Sequence, residues 1–107
     1  MITIETKPVS TNNMYAGRRV MTKLARTTKE SIGWEARTQF HGEPLEGDLA
    51  IRVDIFSPDR RRRDFDNLKM VYDALSGVVW NDDSQIMEAH IKKHIDRDNP
   101  RIEISIL

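Results

Sequence analysis

Apolar and polar positions alternate in four segments of the chain, which is the pattern of half-buried β-strands. The clearest alternation covers residues 49–56, and weaker versions cover residues 1–6, 87–95 and 102–106. The intervening stretch 96–100 has the composition of a turn. The sequence therefore predicts four strands, with the last two joined as a hairpin.

A longer segment between residues 22 and 40 has apolar residues at helical spacing instead. The positions that recur at steps of four are Leu24, Thr28, Ile32, Ala36 and Phe40. Gly42 and Pro44 follow directly and predict the end of this helix.

A second helix is predicted from about Asp66 to just before Gly77. Its buried stripe is expected to be Leu68, Val71 and Leu75. Its other face is expected to carry Asp66, Lys69, Met70 and Asp73. The short apolar piece 78–80 that follows is expected to pack in the core rather than to carry chemistry.

The resulting order, β-α-β-α-β-β, predicts a small α+β domain, close to α/β, with a four-stranded mixed sheet and two helices. A chain of 107 residues has room for one core, so residues 1–107 are expected to form a single domain. The isoleucine-rich last strand is expected at a sheet edge, which would need covering and would be compatible with a homodimer.

The amino-acid composition excludes several classes of protein and permits binding to nucleic acid. The chain has no cysteine, which excludes a disulfide framework and thiolate zinc sites and suits a reducing cytosol. It shows neither a secretory signal nor a membrane-length apolar run, so a cytoplasmic protein is expected. The formal net charge is zero, but residues 1–30 form a basic block. Its cations are Lys7, Arg18, Arg19, Lys23, Arg26 and Lys29. A local basic surface permits nucleic-acid binding despite the neutral total.

The most informative segment is residues 59–67, DRRRRDFDN, which the pair Asp82-Asp83 follows some fifteen residues later. Carboxylates bind hard cations such as Mg²⁺, and arginines bind phosphate. The combination indicates a metal ion held against a phosphodiester. The alternative is a solvated salt-bridge patch, the usual role of charge runs.

Asp64, Asp66 and Asp83 are the candidate ligands, and Lys69, one turn beyond Asp66, is the candidate cation for stabilising charge on the reacting phosphate. Three carboxylates plus waters suit Mg²⁺, whereas without a cation they would raise one another's pKa. Asp66 could equally be a helix cap, and Lys69 could simply pair with Asp73 in a surface salt bridge.

The segment 59–68, together with Asp73-Ala74-Leu75 and residues 80–85, resembles the RusA family of Holliday junction resolvases. The Pro-, Ser- and Asn-containing opening at residues 7–15 is similar to that family as well. The resemblance implies a homodimeric, Mg²⁺-dependent endonuclease that makes paired nicks in four-way DNA junctions during recombination and repair, encoded by a bacterium or a phage. Mn²⁺ is an expected substitute.

By motif position, the resemblance assigns the metal-binding aspartates to Asp64, Asp66 and Asp83, with Asp82 in support. The family's catalytic lysine falls on Met70, so Lys69 is the expected replacement one residue earlier. The expected DNA contacts are Arg60, Arg61, Arg62, Arg63, Lys7, Asn12, Asn13, Arg18 and Arg19. Two other functions remain open at this point. One is a Mg²⁺ nuclease for other branched DNA, and the other is a branched-DNA-binding protein without catalysis.

Overall fold

The computed structural model describes residues 1–7, 22–60 and 67–107, and these form the predicted order of strands and helices. The elements are β1 (Ile2–Ile4), α1 (Lys23–Gln39), β2 (Leu49–Ser57), α2 (Asn67–Leu75), β3 (Ile86–Ile95) and β4 (Arg101–Ile106). A short 3₁₀ helix, Asp83–Gln85, precedes β3. Within this described part of the chain, no helix is both long and apolar enough to cross a bilayer.

The four strands form one mixed sheet in the order β1-β4-β2-β3. β4 is antiparallel to both of its neighbours, whereas β2 and β3 are parallel. Ile51 and Val53 of β2 and Ile104 of β4 are fully buried in the core that the two helices share. The predicted α+β class and the four-stranded mixed sheet are confirmed.

The predicted hairpin between the last two strands is wrong, and so is the edge position of the last strand. β3 and β4 lie on opposite sides of β2, so residues 96–100 cross over the end of β2. The Asp96 backbone N–H donates to the Ser57 carbonyl at 2.8 Å, and Arg101 Nη1 lies 2.8 Å from Asp96 Oδ2. Five residues easily span the two inter-strand spacings. The strand with buried isoleucines, β4, takes the interior place, and the more polar β3 takes the edge.

Helix α1 begins after Thr22, whose side-chain hydroxyl caps it by accepting from the Ala25 backbone N–H at 3.1 Å. Its buried residues are Ala25, Thr28, Ile32 and Ala36. Leu24, which was predicted to be buried, is 66% exposed. A step of four residues turns the helix about 40° beyond a full circle, so a row at that spacing drifts around the helix. Leu24 therefore lies beyond one edge of the buried arc, and Ala25 takes its place.

Helix α2 buries a wider arc than its predicted stripe. Leu68, Val71 and Leu75 are buried as expected, but Met70 is also fully buried, contrary to its predicted place on the polar face. The reason is that α2 packs against α1 as well as joining the common core, which leaves a narrow outer face. Lys69 and Asp73 lie on that outer face.

Met70→Lys is expected to destabilise the protein by about 3 kcal/mol or more, because it would place an ammonium group in the apolar core. Urea unfolding of the wild type and the variant measures the difference. Met70→Leu is the matched control and should cost less than about 1.5 kcal/mol, because it keeps volume and polarity. A Met70→Lys protein as stable as the wild type would contradict the buried position of residue 70.

Candidate active site

The acidic pair Asp82-Asp83 is held by a capping box at the short 3₁₀ helix. The Asp82 carboxylate accepts hydrogen bonds from the Ser84 backbone N–H and hydroxyl, and Gln85 Oε1 accepts from the Asp82 backbone N–H at 2.8 Å. Gln85 Nε2 also donates to the carbonyl oxygens of Leu45 and Gly47, both at 2.9 Å. The pair is thereby fixed to the loop before β2, with buried Trp80 just ahead of it in the chain.

These contacts give the two aspartates different environments. The hydrogen bonds from Ser84 lower the pKa of Asp82, which therefore stays a carboxylate and serves as a cap. Burial raises the pKa of Asp83, and the nearby charges of Asp73 and Asp82 raise it further. Asp83 is the member of the pair whose carboxylate would gain most from a nearby cation.

Asp73 is a site neighbour that the sequence analysis did not assign to the site. The Asp73 carboxylate lies near enough to raise the pKa of Asp83, because two neighbouring carboxylates repel each other when both are charged. The signal was present in the sequence, since Asp73 lies seven residues after Asp66 on the same predicted helix face. What was missing was the packing that brings α2 to the 3₁₀ helix.

Lys69 lies beside both acids. Its Nζ is 3.5 Å from Asp73 Oδ2. Its positive charge lowers the pKa of Asp83, which partly offsets the increase that burial and the neighbouring carboxylates cause. The surface salt bridge considered for Lys69 is therefore present. With about half of the Lys69 side chain exposed, this pair contributes little to stability. It does hold the ammonium group next to the proposed metal ligand.

Several predicted site residues lie outside the described residues. These are Asp64, Asp66, Arg61, Arg62, Arg63, Asn12, Asn13, Arg18 and Arg19. The described residues that lead into these segments lie close together, because Lys7, Pro58 and Leu68 all line one cavity of about 380 Å³. Thr6, next to Lys7, is held by Glu35 of α1 through a hydroxyl–carboxylate hydrogen bond of 2.9 Å. Arg60 is exposed just past the end of β2.

Within residues 1–7, 22–60 and 67–107, no group of three or more potential metal ligands comes together. The predicted trio has only Asp83 in that part of the chain, so it stays a prediction. The chemistry of the described members, a partly buried aspartate beside a second carboxylate and a lysine, fits a hard cation and a phosphate.

Comparison with known proteins adds independent evidence. The profile of the family described as Endodeoxyribonuclease RusA matches residues 5–107. A crossover junction endodeoxyribonuclease RusA of Aquifex aeolicus (strain VF5) is 36% identical over 68% of this chain and 60% of its own length. The protein of that name from Escherichia coli (strain K12) is 30% identical over 92% of this chain and 87% of its own length. The one from Enterobacteria phage 82 is 34% identical over the same shares.

These matches place the chain in the class of endodeoxyribonucleases. Within that class it belongs to the RusA family, as the motif at residues 59–68 indicated.

Proposed function

We propose that this protein is a Mg²⁺-dependent, structure-selective endodeoxyribonuclease that resolves four-way DNA junctions by paired nicking in recombination and repair. The family match over residues 5–107 carries the proposal, because it spans every residue of the candidate site. Bacterial and phage relatives support a place in the bacterial cytoplasm, where such DNA substrates occur, and a chromosomal or prophage origin.

The proposed metal ligands are Asp64, Asp66 and Asp83, with Asp82 holding the turn that presents Asp83. The raised pKa of Asp83 supports this, because burial and neighbouring acids make its carboxylate costly without a cation. Mg²⁺ bound there would supply charge neutralisation on the phosphoryl oxygens and a more acidic water, and Mn²⁺ would serve as its substitute.

The other roles fall on the chain's cations. Lys69 is proposed to stabilise the negative charge that develops on the phosphate, with Asp73 orienting its ammonium group at 3.5 Å. The arginines from Arg60 to Arg63 are proposed to hold the DNA backbone, with help from the N-terminal loop that starts at Lys7.

Paired nicks across a two-fold symmetric junction need two active sites, which a homodimer with two-fold symmetry would supply. The outer edge of β3 supports a contact between subunits. Met87, Ile91 and Ile95 are 68%, 37% and 52% exposed, and they alternate along that edge strand. Sedimentation of the purified protein tests the dimer.

The deciding experiment compares synthetic four-way junctions, flapped duplexes and linear duplex, each with and without Mg²⁺. We expect symmetric nicks in the four-way junction in Mg²⁺ and none in EDTA. Equal cleavage of flaps would indicate a broader branched-DNA nuclease. Tight binding to the junction without cleavage, with or without Mg²⁺, would indicate a non-catalytic binding protein.

Lys69→Ala is expected to lower the single-turnover cleavage rate at least about tenfold, which corresponds to roughly 1.4 kcal/mol of barrier. Junction affinity should change little, because the ammonium group is proposed to act mainly in the transition state. Rapid-quench cleavage and gel-shift titration on the same preparation measure the two quantities.

Asp73→Asn separates the two interpretations of the Lys69–Asp73 pair. If Asp73 orients Lys69, this variant should also slow cleavage, though less than Lys69→Ala. If neither variant alters the rate, the pair is an ordinary surface salt bridge, and the catalytic cation must come from Arg62, Arg63 or the basic N-terminal loop.

A further inference from the structure

A groove of about 440 Å³ lies between α1 and α2, and Asp73 is the residue that it shares with the acidic site. One face of α1 supplies most of its wall. Gly33 also lines the groove, and a Cβ atom at that position would lie 3.6 Å from the Ala74 carbonyl oxygen. The polar and aromatic side chains that line it from α1 are Arg26, Lys29, Glu30, Trp34 and Arg37. These residues recur at helical spacing, so the groove follows the helix for about three turns.

Trp34 is the unusual member of the groove. It is 65% exposed, whereas the chain's other tryptophan, Trp80, is fully buried. The guanidinium carbon of Arg37 lies 5.5 Å from the centroid of the Trp34 ring, within the range of a cation–π contact. An exposed indole with a cation against it offers a flat surface on which a nucleic-acid base can stack.

The cations of this groove differ from the arginines on the face of the sheet that points away from the helices, which are paired with carboxylates. There, Arg52 lies 3.0 Å from Asp54, and Arg101 pairs with both Asp96 and Glu103. By contrast, no ion pair joins Arg26, Lys29 or Arg37 to any residue in the part of the chain that the structure describes. Their positive charge is therefore available to an external anion.

The groove also shares a residue with the candidate active site. Asp73 lines the groove, and the same Asp73 pairs with Lys69 and raises the pKa of nearby Asp83. A strand whose reacting phosphate lies at Asp83 would thus pass close to Asp73 and so to the groove. Glu30 and Asp73 reduce the positive charge without cancelling it, because three cations face two carboxylates.

We propose that this groove binds an unpaired nucleotide of the DNA strand that enters the active site, with its base on Trp34 and flanking phosphates on Arg26, Lys29 and Arg37. The proposal rests on the proposed function and extends it, because it assigns recognition of the open centre of a branched substrate to α1. DNA is favoured over a second copy of the chain, since a two-fold contact would set these cations against their own copies.

The test uses Trp34→Ala and Trp34→Phe in the full chain, with binding measured without Mg²⁺ on a junction with unpaired nucleotides at its centre and on a linear duplex. Trp34→Ala should weaken binding to the junction about tenfold and binding to the duplex far less, because stacking needs an unpaired base. Trp34→Phe should retain most of the affinity. Arg37→Ala should weaken both and lower the salt dependence.

Two variants are matched controls. Leu24→Ala removes an equally exposed apolar side chain from the same helix, and Lys92→Ala removes a cation from the polar face of β3; both should bind like the wild type. Tryptophan fluorescence gives a second readout. Adding the junction should quench the wild-type emission, whereas Trp34→Phe, which keeps only buried Trp80, should show little change.

Wild-type affinity in Trp34→Ala would overturn the proposal, and so would equal losses on junction and duplex. A change in sedimentation mass with unchanged DNA binding would overturn it in favour of a contact between subunits. Cleavage by the wild type in Mg²⁺ is scored separately. A protein that binds DNA through Trp34 but does not cleave it would refute the proposed activity and still support the proposed nucleotide site in the groove.

Discussion

Asp83→Asn is expected to reduce junction cleavage at least about a hundredfold while leaving junction binding nearly intact. The amide keeps the size of the side chain but loses the negative charge, and a lost metal ligand removes several kcal/mol of help to the reaction. Asp64→Asn and Asp66→Asn should behave alike, because all three are proposed ligands of one site. Nicking assays and gel shifts on the same preparations measure both properties.

The matched control for this prediction is Asp98→Asn. Asp98 lies in the turn beyond the far end of β3 from Asp83, so its neutralisation should leave cleavage unchanged. Asp83→Asn also removes the repulsion that Asp83 has with Asp73 and Asp82, so the variant should unfold at the same temperature as the wild type or a higher one. If thermal unfolding shows this, a loss of activity does not come from lost stability. Near-normal cleavage by Asp83→Asn or Asp64→Asn would refute the metal-site assignment.

Replacing Arg60 to Arg63 together by alanine is expected to weaken junction binding strongly. Two phosphate contacts at about 1.5 kcal/mol each correspond to junction binding weakened by roughly a hundredfold. The plot of log affinity against log salt should become shallower by about 0.9 for each arginine that touches a phosphate on the duplex arms. A partial loss is expected, because one or two of these arginines can pair with Asp59 or Asp64 instead.

The fourfold lysine variant at the same positions is the control that keeps charge. Lysines at residues 60–63 retain the positive charge without the forked guanidinium, so the salt slope should persist even where affinity falls. A salt slope that is unchanged in the alanine variant would show that these arginines serve internal ion pairs rather than DNA.

Local patterns in the sequence predicted the elements of this fold correctly. The alternation at residues 49–56 gave β2, and the helical spacing before Gln39 gave α1, because each pattern depends only on which side of one element faces the core. The motif of residues 59–68 likewise indicated the family that the comparisons then showed.

Apart from Leu24, which the geometry of α1 itself explains, the places where the sequence failed depend on contacts between distant elements. β4 lies between β1 and β2 rather than beside β3, and a short turn alone does not reveal which strand the chain will cross. Met70 is buried because α2 packs against α1, which the spacing within α2 does not record. For the same reason residue 70, to which the resemblance assigned a catalytic lysine, is part of the core here, and the adjacent Lys69 is the exposed lysine.

The sequence by itself determined which residues can carry the chemistry: the acidic and arginine-rich motif, the second acidic pair, and the periodicity that makes two helices and four strands. Only the tertiary structure decided which of them meet. It brought Asp73 close to Asp83, and it left Trp34 exposed among cations in a groove that Asp73 also lines. The physical reason is that periodicity is a local property of one element. The burial of a given side chain, and hence the pKa of a carboxylate or the accessibility of an indole, depends on the neighbours that packing provides.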